Sequence, residues 1–319
     1  AGIYVSRDAG LTWEHLDNTA SNSITFRRFR TNDSIAPDPA HEGVILTGSR
    51  EGGLWRSTDS GRTWDRVFEA ASTDAPLEKV EIGLLPDDPT TSPYPAPVSV
   101  VVFDPSDSNV VYAGLDGAGV IKSVEGGAAG SWEFINNGLP DPARVKYVAV
   151  GRGVIYAALG VDGVYRSDDG GGSWRAVSGS LPLDGNWVSS VAAHPADPDI
   201  AYLTLVTYDH PTVWKTTDSG ATWEAKGDVT IDPVNDPTEI WATRSPDGLY
   251  WPYTYGWQVT LDPRDPNRLY YVDFWKIVRS DDGGEHWAEK IAGAQNTCVT
   301  DLLVDDGALY ATHWDAGLL

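Results

Sequence analysis

The sequence predicts an all-β protein, a β-propeller built from four-stranded blades. Three observations lead to this prediction: a short motif that recurs six times in 319 residues, apolar runs on both sides of each copy, and a second recurrent turn upstream. Repeats of four short strands bury their faces by packing around a common axis, which is the propeller arrangement.

The recurrent motif reads Ser/Thr-x-Asp-x-Gly-x-Thr/Ser-Trp, and we call it the Asp turn. The complete copies are 6–13, 57–64 and 216–223. Two copies differ at the Thr position, where 167–174 has Ser and 280–287 has His. The sixth copy, 123–132, is two residues longer and has Glu in place of Asp. We expect a β-hairpin turn in which Asp accepts backbone N–H bonds, Gly supplies a positive φ, and Trp packs the turn onto the sheet.

The upstream turn completes a four-stranded unit with strands a to d. It joins two apolar runs through Pro and Asp residues near 104–109, 194–199 and 262–267, so it lies between strands a and b, while the Asp turn joins c to d. The motif Trp residues are 42 to 68 residues apart, close to the ~40–50 residues of a blade plus insertions. The predicted blades are about 23–96, 97–143, 144–186, 187–245, 246–297, and 298–319 together with 1–22.

The two chain ends are predicted to close one blade. Residues 298–319 read as strands a and b with the start of strand c, and residues 1–16 read as strands c and d, which makes 1–319 a single six-bladed domain. Because 316–319 and 1–4 look like two copies of the same strand c, seven blades or a window of a longer array is the alternative.

The composition excludes several partners. Asp and Glu number 46 against 23 Lys and Arg, a net charge of −23, whereas nucleic acid and anionic membranes select basic surfaces. No apolar run approaches the ~20 residues of a membrane span. The histidines show no metal-ligand spacing and the one cysteine allows no intrachain disulfide, so we expect no cofactor and no metal.

The Asp turns resemble the Asp-box, or bacterial neuraminidase repeat, of sialidases, two-propeller xyloglucanases, sortilin-type receptors and photosystem II assembly propellers. The resemblance covers nearly the whole chain and implies a propeller. In those families the boxes are structural turns far from the active face, which implies a structural role for Asp8, Asp59, Asp169, Asp218 and Asp282. A calcium role is the alternative, although no complete calcium loop is present.

Function is expected at the opposite end of the blades, where the b–c turns lie. Every predicted b–c turn carries a carboxylate: Glu51, Asp116, Asp162, Asp209, Asp273 and Asp315. Asp-Gly is common hairpin chemistry and accounts for two of them, Asp116 and Asp162. Aromatic neighbours beside the later acids favour a glycan site, with solvated turns or packing between blades as the alternative. The candidate binding residues there are Tyr208, His210, Trp275 and Trp314.

The connection 224–257 is much longer than a blade needs and is rich in aromatic residues. Long loops in compact domains are commonly functional. Because d–a connections fall at the same end as the b–c turns, we expect substrate binding by Trp251, Tyr253, Tyr255 and Arg244.

Two segments resemble a xyloglucanase sequence, Tyr-Ala-x-x-Asp-x-Gly-Gly, in which the Asp is catalytic. They are 112–119, with Asp116, and 310–317, with Asp315 and one extra residue. The resemblance implies a catalytic role for Asp315 and Asp116, and the ring of turn acids adds Asp273 as the alternative partner of Asp315, although xyloglucanases place the two carboxylates on facing propellers. A sialidase is disfavoured because 29–32 departs from the Phe/Tyr-Arg-Ile-Pro sequence.

These observations predict an extracellular or periplasmic propeller that recognises a polysaccharide, either as a glycoside hydrolase or by binding alone. The alternative is a non-catalytic interaction or structural scaffold, with a protein partner or self-association in a larger surface assembly. Glycan binding would distinguish the two.

Overall fold

The computed structural model describes residues 4–5, 14–15, 35–49, 53–70, 96–207, 212–226, 254–255, 258–272, 277–289, 299–305 and 308–313. Throughout these ranges the regular secondary structure is β-strand, and the strands form antiparallel sheets, five of which have at least four strands. The predicted all-β class and the four-stranded repeat are therefore confirmed. The number of blades, their boundaries and the joining of the chain ends stay predictions.

The chain divides into two compact units, the first comprising 1–157 and 166–175 and the second 158–165 and 176–319. Strands of the first unit form one two-stranded and two four-stranded sheets. They are β1 (Tyr4–Val5), β2 (Glu14–His15), β3 (Ile35–Pro37), β4 (Ile45–Gly48), β5 (Gly53–Ser57), β6 (Asp65–Glu69), β7 (Val98–Asp104), β8 (Asp107–Leu115), β9 (Gly119–Ser123) and β10 (Glu133–Phe134).

A further four-stranded sheet supplies residues to both units. It consists of β11 (Tyr147–Gly151), β12 (Val154–Ala158), β13 (Val164–Ser167) and β14 (Arg175–Ala176).

The remaining strands belong to the second unit. They are β15 (Trp187–Ala193), β16 (Ala201–Thr207), β17 (Val213–Thr216), β18 (Glu224–Ala225), β19 (Thr254–Tyr255), β20 (Gln258–Asp262), β21 (Asp265–Val272), β22 (Ile277–Ser280), β23 (Ala288–Glu289), β24 (Val299–Asp305) and β25 (Ala308–His313). Strands β15–β18 form one sheet, with β19 added to β16, β20–β23 form another, and β24 pairs with β25.

Within each four-stranded sheet the strands pair in chain order, so they correspond to the predicted strands a, b, c and d. The b–c turn and the Asp turn therefore lie at opposite ends of strand c. We call these the b–c end and the Asp-turn end of a sheet.

The core of the first unit lies between the sheets β3–β6 and β7–β10. Strand β7 is buried on both faces over most of its length, as expected for an inner strand covered on each side. The sheets approach closely at Gly48, where an added Cβ would lie 2.3 Å from Val98 Cγ1. A side chain at that glycine would force the two sheets apart.

Candidate functional site

Four of the described Asp turns use their carboxylates to close the turn. Asp59 Oδ1 accepts the Thr63 N–H at 2.8 Å and the Ser57 hydroxyl at 2.9 Å, and its Oδ2 accepts the Thr63 hydroxyl at 2.6 Å. The turns at Asp169 and Asp218 repeat the same three bonds. Each carboxylate is thus occupied by donors of its own turn.

The turn at Asp282 shows what the His-for-Thr change does. The His286 N–H donates to Asp282 Oδ1 at 2.9 Å, and the imidazole Nδ1 lies 2.6 Å from Oδ2, where the Thr hydroxyl lies in the other copies. Imidazole therefore substitutes for the hydroxyl without changing the turn.

These hydrogen bonds lower the pKa of the carboxyl groups. Bonds from the Thr63 hydroxyl and N–H bring the pKa of Asp59 to about 2, and bonds from Ser173 do the same for Asp169. The pKa values of Asp218 and Asp282 are lowered for the same reason. A carboxyl group with such a pKa is ionised at neutral pH and is a poor proton donor.

Hydrogen bonds from Trp174 and Trp223 tie consecutive sheets together. Trp174 Nε1 donates to the Ile135 carbonyl at 2.6 Å, and Trp223 Nε1 donates to the Val177 carbonyl at 2.7 Å. Each acceptor directly follows strand d of the preceding sheet. The longer copy differs: Trp132 packs against Phe68, with ring centroids 6.4 Å apart, but its buried indole N–H has no acceptor among the described residues.

Lysines on strand c complete the bonding at the Asp-turn end. Lys122 Nζ lies 5.5 Å from the Tyr112 ring centroid and donates to the Gly170 carbonyl in the next Asp turn at 2.9 Å. Lys215 does the same with Tyr202 and Gly283. This end of the sheets is thus occupied by bonds that hold the fold.

The b–c end of the sheet β7–β10 is built differently. Asp116 follows β8, and its N–H donates to the Pro97 carbonyl at 2.9 Å. The N–H groups of Gly117 and Gly119 both donate to the Ala143 carbonyl, at 3.1 and 3.0 Å. Both glycines have positive φ, 111° and 93°, which a residue with a side chain rarely adopts. The turn is therefore fixed against the segment 143–146.

The Asp116 carboxylate has one strong partner. Its Oδ2 lies 2.5 Å from Lys146 Nζ, while its Oδ1 is buried and accepts no hydrogen bond from the described residues. Asp116 is only 8% exposed, whereas Asp162, in the b–c turn of the next sheet, is exposed. Two Asp-Gly turns that look alike in sequence thus have opposite environments.

Lys146 was not among the sequence-predicted site residues. The available signal was the short basic run Arg144-Val145-Lys146, directly before a predicted strand of a very acidic chain. The spacing to Asp116 gave no indication of contact, because the two residues meet through tertiary structure.

Tyr255 is described only through its backbone. Strand β19 pairs with β16, with Tyr255 opposite Val206 and Thr254 opposite Thr207. Because the b–c turn follows Thr207, the long connection returns at the b–c end of this sheet. The other predicted site residues lie outside the described residues: Asp315, Asp273, Trp251, Tyr253, Trp275, Trp314, Tyr208, His210, Arg244 and the structural Asp8.

The described ranges contain no group of three or more His, Cys, Asp or Glu side chains that could hold a metal ion. They also contain no helix that is long and apolar enough to cross a membrane.

The chain is similar in sequence to xyloglucanases, while no family model matches it. Xyloglucanase Xgh74A of Acetivibrio thermocellus is 24% identical, over 94% of this chain and 40% of the relative. A xyloglucanase of Hypocrea jecorina is 28% identical, over 84% of this chain and 36% of the relative. The chain therefore spans well under half the length of these curated relatives.

Solved structures show the same fold. A GH74 enzyme of Niastella koreensis superposes with a TM-score of 0.63 at 18% identity, over 98% of this chain and 47% of the other. The GH74 xyloglucanase of Xanthomonas campestris gives 0.59 at 23%, over 89% and 42%. YCF48 bound to D1 peptide gives 0.58 at 12%, over 98% and 84%. At these identities the likeness shows the fold alone, a β-propeller.

Proposed function

We propose that this chain is a polysaccharide-binding propeller of a glycoside hydrolase that acts on xyloglucan or a related β-glucan, with Asp116 as one of the reacting carboxylates. The observation that carries the proposal is the environment of Asp116: a buried carboxylate at the b–c end, paired with one lysine and not with the donors of its own turn. The names of the sequence relatives support the substrate class.

The chemistry requires a second carboxylate. Glycosidases flank the scissile bond with two such groups, one donating a proton to the leaving oxygen and the other activating water or attacking the sugar. Of these two roles we assign the second to Asp116, whose Oδ2 accepts a hydrogen bond from the Lys146 ammonium group. Asp315 and Asp273, which the sequence places in other b–c turns, are the candidates for the second group.

Substrate binding is assigned to the aromatic residues at the b–c end. Flat rings stack on sugar faces, and polar side chains beside them orient the hydroxyl groups. The return of the long connection at the b–c end of the sheet β15–β18 supports this placement. The proposed contacts are Trp251, Tyr253, Tyr255, Trp275, Trp314, Tyr208, His210 and Arg244. A polymeric substrate of this kind lies outside the cytoplasm, so the proposal includes secretion or a periplasmic location.

The test is a depolymerisation and binding screen with the protein at its full natural length. Xyloglucan, other β-glucans, uronates and sialosides are each assayed for binding and for the release of reducing ends. We expect binding to xyloglucan or another β-glucan, together with release. Binding without release would overturn the hydrolase assignment, and the absence of both would favour an interaction scaffold.

Two matched variants test whether Asp116 takes part in hydrolysis. Asp116→Asn keeps the shape of the side chain and removes its charge, and we expect hydrolysis to fall by about 10²–10⁴-fold while binding persists. Asp162→Asn makes the same change in the exposed b–c turn of the next sheet and is expected to leave hydrolysis unchanged. Equal activity in the two variants would remove Asp116 from the mechanism.

A further inference from the structure

We propose that Lys146 is a positioning residue for Asp116, which holds the carboxylate ionised and in one orientation so that it acts as a proton acceptor. The catalytic meaning of this inference rests on the proposed function, whereas the ion pair itself does not. Lys146 Nζ lies 2.5 Å from Asp116 Oδ2, although 29 residues separate the two in sequence.

The backbone directly before Lys146 is fixed by two hydrogen bonds and a bridge. Ser99 Oγ, on strand β7, donates to the Val145 carbonyl at 2.8 Å, and the Val145 N–H donates to the Leu115 carbonyl at 3.4 Å. An antiparallel bridge pairs Arg144 with Asp116. The two residues directly before Lys146 are therefore bonded to Leu115 and Asp116.

Close packing makes this approach possible. An added Cβ at Gly114 would lie 2.6 Å from Val145 Cγ1 and 2.9 Å from Val100 Cγ1. Gly114 is two residues before Asp116 and belongs to the segment that resembles the xyloglucanase sequence. A side chain at that position would push the segment 143–146 away and move Lys146 from the carboxylate.

Burial makes the charge of Asp116 depend on Lys146. An ionised carboxylate that leaves water without donors or a cation takes up a proton instead. Asp116 is 8% exposed, and its Oδ1 accepts no hydrogen bond from the described residues. The Lys146 side chain is 27% exposed, so its ammonium keeps part of its hydration while it pairs.

The described segments bonded to this turn contain two cations. Lys146 contacts the carboxylate directly, and Arg144 pairs with Asp116 through its backbone. The residues facing the turn from the start of β7, Pro97 to Ser99, are uncharged. Lys146 is thus the partner that compensates the negative charge.

The ion pair bears on which carboxyl group donates the proton in the reaction and which accepts it. A carboxylate held ionised can accept a proton from water but has none to donate to a leaving oxygen. The proton donor of the reaction is therefore a different carboxyl group. Lys146 acts through Asp116, the carboxylate with which it is paired.

The experiment measures the protonation of Asp116 directly. The protein at its full natural length is labelled with ¹³Cγ-aspartate, and the Asp116 signal is assigned as the one that Asp116→Asn removes. We expect Lys146→Met to move the titration of that signal to higher pH than in the wild type, because it removes an opposite charge at contact distance. Lys146→Arg is expected to keep the midpoint near that of the wild type.

Two further variants provide controls. Lys122→Met removes a lysine from the same sheet, at its Asp-turn end, and is expected to leave the Asp116 midpoint unchanged. If Lys146→Met does not fold, Lys146→Gln removes the charge while keeping a polar group. An Asp116 midpoint that stays the same in the neutral Lys146 variants overturns the proposal.

Kinetics separate this inference from the proposed function. In Lys146→Met the acid limb of the kcat/KM profile should move up by the same interval as the NMR midpoint, with little change in KM. A shift in the midpoint with no hydrolysis by the wild type would overturn the proposed function and leave the ion pair established. Hydrolysis with an unshifted acid limb would overturn the positioning role alone.

Discussion

The two ends of the sheets use aspartate in opposite ways. At the Asp-turn end, Asp59 and Asp169 accept several hydrogen bonds within their own turns, and the pKa of each is lowered to about 2. At the b–c end, Asp116 is buried, with one oxygen on Lys146 and the other without a described donor. A carboxylate occupied by local donors stabilises a turn, whereas Asp116 is held by one lysine from elsewhere in the sequence and has a second oxygen that accepts no described hydrogen bond.

A pair of matched substitutions should separate these roles most strongly. We expect Asp116→Asn to reduce hydrolysis by about 10²–10⁴-fold with a small change in Tm. We expect Asp218→Asn to lower Tm with kcat/KM unchanged, because an amide cannot accept the same set of bonds at that turn. Hydrolysis assays and thermal melts of both variants check this, and a loss of activity in Asp218→Asn would break the comparison.

Acid should destabilise the protein through the Asp turns. Because the pKa of Asp59 is about 2 in the folded chain and 3.8 ordinarily, its contribution to stability is complete above pH ~4 and is lost as the pH falls toward 2. Asp169 behaves in the same way. Tm measured from pH 5 to pH 2 should therefore fall. An equally steep fall after Asn replaces Asp59, Asp169, Asp218 and Asp282 would contradict this explanation.

The contribution of the tryptophan hydrogen bond to stability can be measured by comparing Trp174 with Trp132 of the longer Asp turn. Trp174→Phe removes a bonded N–H and leaves the Ile135 carbonyl without it, whereas Trp132→Phe removes an N–H that has no described acceptor. We expect Trp174→Phe to cost about 1 kcal/mol more of the free energy of unfolding than Trp132→Phe. Urea denaturation measures both, and equal losses would show that the hydrogen bond contributes nothing.

The smallest expected effect concerns an a–b turn. His194 Nδ1 accepts the N–H groups of Ala196 and Asp197, at 3.3 and 2.9 Å, in the position that Asp104 occupies in another a–b turn. Burial lowers the pKa of His194, with Lys215 adding to the effect and Asp197 opposing it.

Because the folded pKa of His194 lies below the ordinary 6.5, its contribution to stability is present above that value and is lost as the pH falls through the folded pKa. His194→Asp should keep the turn and remove this pH dependence. Urea midpoints at pH 7.5 and pH 5 check the change. An identical difference between the two pH values in wild type and variant would contradict the role of His194.

The sequence was most informative where the chemistry is local. Apolar runs separated by Pro, Asp and Gly turns predicted four-stranded sheets, and the spacing of the repeats predicted a propeller. The Asp turns have short-range bonds, such as Asp59 with Ser57 and Thr63, so eight residues contain all the partners. Most of the proposed binding residues are in segments outside the described residues, and their roles stay predictions.

The sequence by itself determined the strand order within a sheet and the identity of the turn carboxylates, because both depend on residues only a few positions apart. It could not distinguish Asp116 from Asp162, since both precede a glycine in a b–c turn. Tertiary structure decided that difference. The hydrogen bond from Ser99 to the Val145 carbonyl, 46 residues away, helps to bring Lys146 to one of the two carboxylates. Because that carboxylate is buried, it has little water to solvate its charge, and the lysine compensates it instead.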